Sequence, residues 1–258
     1  MSVSEAINQG TVNYEIQDGI ATITFGHPLS NSLPGKILQK VANTITELGQ
    51  NDAAKVIILK SEGERAFCAG ASFDELLSIK DFETGKKFFM GFANVINACR
   101  KCPKFIIGRV QGKAVGGGVG LASAVDYCYA TKYAEVKLSE LAVGIGPFVV
   151  GPAVERKIGV SAMSNLAINA TEWRGAKWAR EKGLYVDIFE SIEEMDKDIE
   201  IIAKKLANSN PEAMALLKQT FWKGTEDWDQ LLEERAAMSG KLVLSDFTVE
   251  AISAFKAK

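Results

Sequence analysis

Gln111-Gly112-Lys113-Ala114-Val115-Gly116-Gly117-Gly118-Val119-Gly120-Leu121 decides the fold of this chain, because it carries a hydrophobic strand into an apolar helix through residues without side chains. The strand before it is Phe105-Ile106-Ile107-Gly108-Arg109-Val110, and the pattern predicts a helix from about Gly117 through Leu121, Ala122, Ala124 and Val125. Unpaired amides at a helix N-terminus point outward and carry partial positive charge. Glycine lets an oxygen atom come close to them. Two ligands fit such a turn: a phosphate, or an oxyanion that develops during a reaction. Walker A needs Gly-Lys-Ser/Thr after the loop and the dinucleotide fingerprint needs another glycine spacing, so neither signature is met. A tight turn packed for structural reasons alone would use glycine too.

Outward from that run, strand and helix patterns alternate. Asn13 to Phe25 reads as a hairpin turning at Asp18-Gly19, and Lys55 to Lys60 as a short buried strand. Ile37, Leu38, Val41, Ile45 and Leu48 repeat at helical spacing between them, and a second helix spans roughly Thr84 to Arg100. Strand, helix, strand order implies right-handed parallel crossovers. Further strands are expected at Tyr127-Ala130, Val136-Leu138 and Tyr185-Ile188. From Ser191 the character changes to helix throughout. Met195, Ile199, Ile202, Ala203 and Leu206 mark one helix, and Pro211 opens another.

Composition bounds the function. At 258 residues and 47% apolar content the chain can bury a large core in one domain, or one domain with a helical appendage. A formal net charge of −2 without blocks of like charge gives no footprint for nucleic acid or an anionic membrane. The expected partner is a small molecule or another copy of the chain. The sequence beginning Met1-Ser2-Val3-Ser4-Glu5 lacks a basic start followed by an apolar core, and no run reaches membrane-spanning length, so the expected location is the cytoplasm.

Cys68, Cys99, Cys102 and Cys128 do not form paired metal-ligand spacings, so no metal site is expected. Cys99-Arg100-Lys101-Cys102 ends a helical stretch before Pro103, whereas a redox motif opens one, and two half-buried structural cysteines are expected there. His27 is the only histidine, at a strand exit, and no G-x-S-x-G elbow accompanies it.

Two more segments bear on chemistry. Glu64-Arg65-Ala66-Phe67-Cys68-Ala69-Gly70-Ala71-Ser72-Phe73-Asp74-Glu75-Leu76 also runs through small residues to a helix start, with Ser72 as N-cap and Glu75 at capping-box spacing. Lys137-Leu138-Ser139-Glu140-Leu141-Ala142-Val143-Gly144-Ile145-Gly146-Pro147 holds one acid among apolar and small neighbours. A carboxylate so placed has a raised pKa and can exchange protons near neutrality. A structural acid that caps a turn or pairs with an arginine fits the local sequence equally well.

Together these segments resemble the crotonase, or enoyl-CoA hydratase/isomerase, superfamily. The resemblance runs through the hairpin, Arg65 to Ala71, Val110-Gln111-Gly112 to Asp126, Ser139-Glu140-Leu141 with Gly144 and Pro147, and Ala251-Ile252-Ser253-Ala254-Phe255. It implies an α/β fold: a spiral of ββα turns over residues 1–190 holding an acyl-CoA site, and a helical region over 191–258 that completes the site and mediates assembly as a homotrimer or dimer of trimers. It implies coenzyme A as part of the substrate and no separate cofactor. The positions matching the family's oxyanion donors are the amides of Ala71 and Gly117, flanked by Gly70 and Gly116. Ala69 resembles the residue whose backbone meets the adenine region, Arg65 a basic residue near the nucleotide, and Phe255 and Lys256 a C-terminal pair that reaches the CoA site.

The departures decide the reaction. Family hydratases carry one glutamate shortly after the glycine run and another at the position of Glu140, and the pair holds a water; here the first position is Gly120. One carboxylate suffices to move a proton from C2 to C4 of an enoyl chain, so Glu140 becomes the single general acid/base and the balance leans to isomerisation. Asp126 and Glu155 are poor substitutes, the first reading as structural and the second as an exposed helix residue. After Pro147, Phe148-Val149-Val150-Gly151-Pro152 replaces a glycine-rich stretch and is expected to line the pocket floor, which would select a short or branched acyl group. A hydratase of short or branched enoyl-CoA, methylglutaconyl-CoA for example, is the first alternative, and a non-catalytic acyl-CoA-binding protein the second.

Overall fold

Residues 7–256, with side chains to Phe255, are described by a computed structural model. Strands β1 (Thr11–Gln17) and β2 (Ile20–Gly26) pair antiparallel, with Gln17 opposite Ile20. Asp18 and Gly19 between them both have positive φ, +52° and +80°, as the primed hairpin turn demands. Helix α1 (Gly35–Gln50) buries the stripe Ile37, Leu38, Val41, Ile45 and Leu48.

A two-strand unit followed by helix then repeats. β3 (Val56–Ser61) and β4 (Ala66–Cys68) lead to α2 (Phe73–Ser78) and α3 (Phe82–Lys101). β5 (Ile106–Val110) and β6 (Lys113–Val115) lead to α4 (Gly117–Ala124). β7 (Tyr127–Thr131) and β8 (Val136–Lys137) lead to α5 (Gly151–Ile168). After α6 (Ala176–Glu181), β9 (Asp187–Phe189) closes the series.

Each turn sends its first strand to one sheet and its second to another. The larger sheet has the order β1-β2-β3-β5-β7-β9, parallel from β2 onward, and the smaller has β4-β6-β8, also parallel. This is the expected spiral. β5 is buried at every position, as a strand covered on both faces must be.

Beyond β9 the described chain is helical: α7 (Ile192–Ala207), α8 (Pro211–Phe221), α9 (Trp228–Leu242) and α10 (Asp246–Lys256). These helices pack directly on the spiral. Met195, Ile199 and Ala203 of α7 form one apolar cluster with Val56, Ile107 and Tyr129 of the larger sheet. α9 packs along α3, and α10 against α2.

Candidate active site

β4 and β6 are parallel neighbours, with Cys68 opposite Ala114, so the two exits Ala69-Gly70-Ala71 and Gly116-Gly117 lie side by side. Leu33 bridges the first exit: its N–H donates to the Gly70 carbonyl (2.7 Å), and the Ser72 N–H donates to the Leu33 carbonyl (3.2 Å). That bridge consumes the groups flanking the Ala71 amide and leaves the amide itself without an acceptor among the described residues. At the second exit the Gly116 N–H donates to Lys137 O (2.8 Å), while the Gly117 amide, first in α4, likewise has no acceptor. The sequence therefore produces two adjacent strand ends with free amides.

Ser72 caps α2 as expected, accepting the Glu75 N–H at 3.4 Å. The reciprocal half of the box does not form, because the Ser72 amide is already committed to Leu33. The Glu75 carboxylate instead accepts the Gly35 N–H (2.7 Å) and caps α1, whose own N-cap, Pro34, offers no side-chain acceptor.

Glu140 follows β8 and opens a single 3₁₀ turn, Leu141–Val143. Its carbonyl accepts from Val143 and Ile145, at 3.2 and 2.9 Å. Its carboxylate lies against Gly116, where a Cβ would sit 3.0 Å from Oε1, and the φ of +52° there also favours glycine. Glu140 Oε2 is buried and has no hydrogen-bond partner. Burial pushes its carboxyl up to about 7, opposed in part by its own backbone amide.

Ala71, Gly117 and Glu140 line one inner chamber of about 60 Å³, together with Phe148, Val149 and Val150 as the sequence anticipates. Gly70 and Gly116 belong to the same wall. An outer vestibule of about 710 Å³ shares Ala69, Ala71, Val115 and Ser139 with the chamber. Phe255 lines the vestibule and meets the Phe73 ring edge-on at 5.3 Å. Arg65 is exposed and lines a separate hollow of about 540 Å³ beside His27, and it lines neither the chamber nor the vestibule. The Lys256 side chain falls outside the described residues.

The helix that begins at Gly117 ends near a different carboxylate. Asp126 accepts hydrogen bonds from the Ile106 amide (2.8 Å) and Trp222 Nε1 (2.9 Å), and pairs with the buried Lys218 ammonium at 2.8 Å. This is the structural acid the sequence indicated. Glu155 is exposed on α5. Cys99 and Cys102 are fully rather than half buried, and burial pushes the thiols of Cys68, Cys99 and Cys128 up to about 12, which leaves them protonated and inert.

Gly120 faces Val150. A Cβ on Gly120 would lie 2.7 Å from Val150 Cβ, so the space in which a second carboxylate would begin is filled by an apolar side chain. Several contributors escaped the sequence reading, Phe89 and Phe92 of α3 on the chamber wall among them. Ser239 of α9, distant in sequence, reaches the inner chamber. Trp173 lines the vestibule and carries Lys113 and Lys137 against its ring, at 4.4 and 4.3 Å.

Comparison with known proteins agrees with this architecture. A family model described as enoyl-CoA hydratase/isomerase matches residues 15–258. The chain belongs to the enoyl-CoA hydratase/isomerase family. Among relatives, a short-chain-enoyl-CoA hydratase of Clostridium acetobutylicum is 28% identical, over 93% of this chain and 92% of its own. A peroxisomal Delta(3,5)-Delta(2,4)-dienoyl-CoA isomerase of Arabidopsis thaliana is 27% identical, over 87% and 84%. The crystal structure of an enoyl-CoA hydratase from Bacillus halodurans superposes with a TM-score of 0.86 at 22% identity, covering 94% of this chain and 99% of that one, and supports the crotonase fold. Hydratase and isomerase names thus both occur among relatives of this family member. No helix among the described residues is long and apolar enough to cross a membrane.

Proposed function

We propose that this chain shifts the double bond of an enoyl-CoA thioester, with Glu140 as its only acid/base, rather than adding water to it. In the 3-enoyl to 2-enoyl direction the Glu140 carboxylate takes a proton from C2, and the electron pair spreads through the conjugated system onto the thioester oxygen. The free amides of Ala71 and Gly117 donate to that oxygen, and each fixed donor aimed at developing charge is worth about 3 kcal/mol of barrier. Glu140 then returns the proton at C4 and is regenerated. A carboxyl held near neutrality suits both halves of this transfer.

The observation that carries the reading is Val150 in the space a side chain at Gly120 would need. Among the described residues that line the chamber Glu140 is the only carboxylate, so no second one pairs with it to hold a water. The vestibule is the expected seat of the coenzyme A arm, with Ala69 and Phe255 on its wall. A trimeric or hexameric assembly belongs to the same reading, supported by the exposed apolar side chains Leu216, Leu217 and Phe221 on α8.

Water addition by Glu140 alone is the second reading, favoured by the unpartnered Oε2, which could hold a water, and by the hydratase relative. Kinetics of Glu140→Gln on parallel 2-enoyl- and 3-enoyl-CoA substrates test the assignment. Loss of turnover by about a thousandfold with acyl-CoA binding retained is expected. Full activity in the variant would remove Glu140 from the mechanism.

A further inference from the structure

Three side chains that bound the inner chamber are each seated on a glycine. A Cβ on Gly117 would lie 2.6 Å from Phe92 Cζ, one on Gly120 2.7 Å from Val150 Cβ, and one on Gly146 2.5 Å from Phe148 Cε2. Each large side chain therefore occupies volume that a neighbouring side chain would otherwise fill. Little space is left: about 60 Å³, against about 710 Å³ in the adjoining vestibule.

The walls are held from behind. Phe92 and Val150 are almost wholly buried, in the close-packed core between α3, α4 and α5. The Phe148 segment is pinned at its backbone, with the Phe148 N–H donating to Gly146 O (2.7 Å) and the Gly151 N–H to Pro147 O (2.8 Å). Packed interiors do not yield a methylene's worth of room without cost.

We propose that Phe92, Phe148 and Val150 set the acyl length this chain accepts and restrict it to short acyl thioesters, of butyryl to hexanoyl size. Val150 then has two effects, excluding a second carboxylate and shortening the chamber. The inference rests on the acyl-thioester reading of the site but not on which reaction occurs there.

Calorimetric binding of saturated butyryl-, hexanoyl- and decanoyl-CoA, which cannot turn over, tests it directly. Wild type should bind decanoyl-CoA at least about tenfold more weakly than hexanoyl-CoA, the scale on which a methylene without room is rejected. Phe148→Ala and, separately, Val150→Ala should each recover about tenfold for decanoyl-CoA while leaving the affinity for free CoA unchanged. If one variant does not fold, the other and the wild-type series decide. A flat series in wild type, or a decanoyl penalty untouched by either substitution, overturns the inference. Length-dependent binding without turnover of any enoyl-CoA leaves it standing and removes the proposed reaction. A flat series with turnover does the reverse, and no binding of any acyl-CoA removes both.

Discussion

The two ends of helix α4 each lie beside a carboxylate, and the two are treated in opposite ways. At the C-terminal end Asp126 is surrounded by donors: a backbone amide, an indole N–H and a buried ammonium. At the N-terminal end Glu140 Oε2 is equally hidden from water and has none. A satisfied buried carboxylate holds the structure together. An unsatisfied one costs stability, and here it faces a chamber lined by two free amides, which is where the proposed chemistry is placed.

The largest expected effect breaks the comparison from the chemical side. Glu140→Gln should lower kcat by about a thousandfold, the usual scale for removing a general acid/base, with a folded protein by circular dichroism. Asp126→Asn should do the opposite. It leaves Lys218 buried beside a neutral partner and should cost about 3–5 kcal/mol in denaturant unfolding, while kcat of the folded protein changes only a few-fold. Comparable loss of kcat in both variants would erase the distinction.

The next effect concerns pH. Burial raises the Glu140 carboxyl from its ordinary 4.5 to about 7, so in that window the folded chain holds a proton the unfolded chain has released. This group's contribution to stability therefore falls as pH rises from 4.5 to 7, then stays level. Glu140→Gln should be the more stable protein at pH 8, by ~3 kcal/mol at most, and the gain should vanish by pH 4. In wild type, a base of this kind should make kcat/KM rise with pH through about 7.

The smallest effect sharpens the account of the missing acid. Gly120→Glu alone should cost about 1–3 kcal/mol, because its side chain meets Val150. Adding Val150→Gly should relieve part of that loss and introduce water addition, read as a hydroxyacyl-CoA product.

Much of this was legible in the chain. The Asp18-Gly19 turn, the apolar stripe of α1, the glycine-led helix and the isolated acid at Glu140 are local patterns with local causes. β4 and β6 were not read as strands, since their ladder partners come from the neighbouring turn of the spiral. The capping box at Ser72 misled for the same reason, because Leu33 claims the amide that Glu75 would have served. Ser239 carries no local signal and reaches the chamber only because α9 packs along α3. The absence of a carboxylate at Gly120 could be read in sequence; that Val150 fills its space could not.

The mass of the product formed by wild type from a 3-enoyl-CoA in heavy-oxygen water tests the central claim most directly. The account predicts a 2-enoyl-CoA of unchanged mass, carrying no label. A hydroxyacyl-CoA that has gained one labelled water would contradict it.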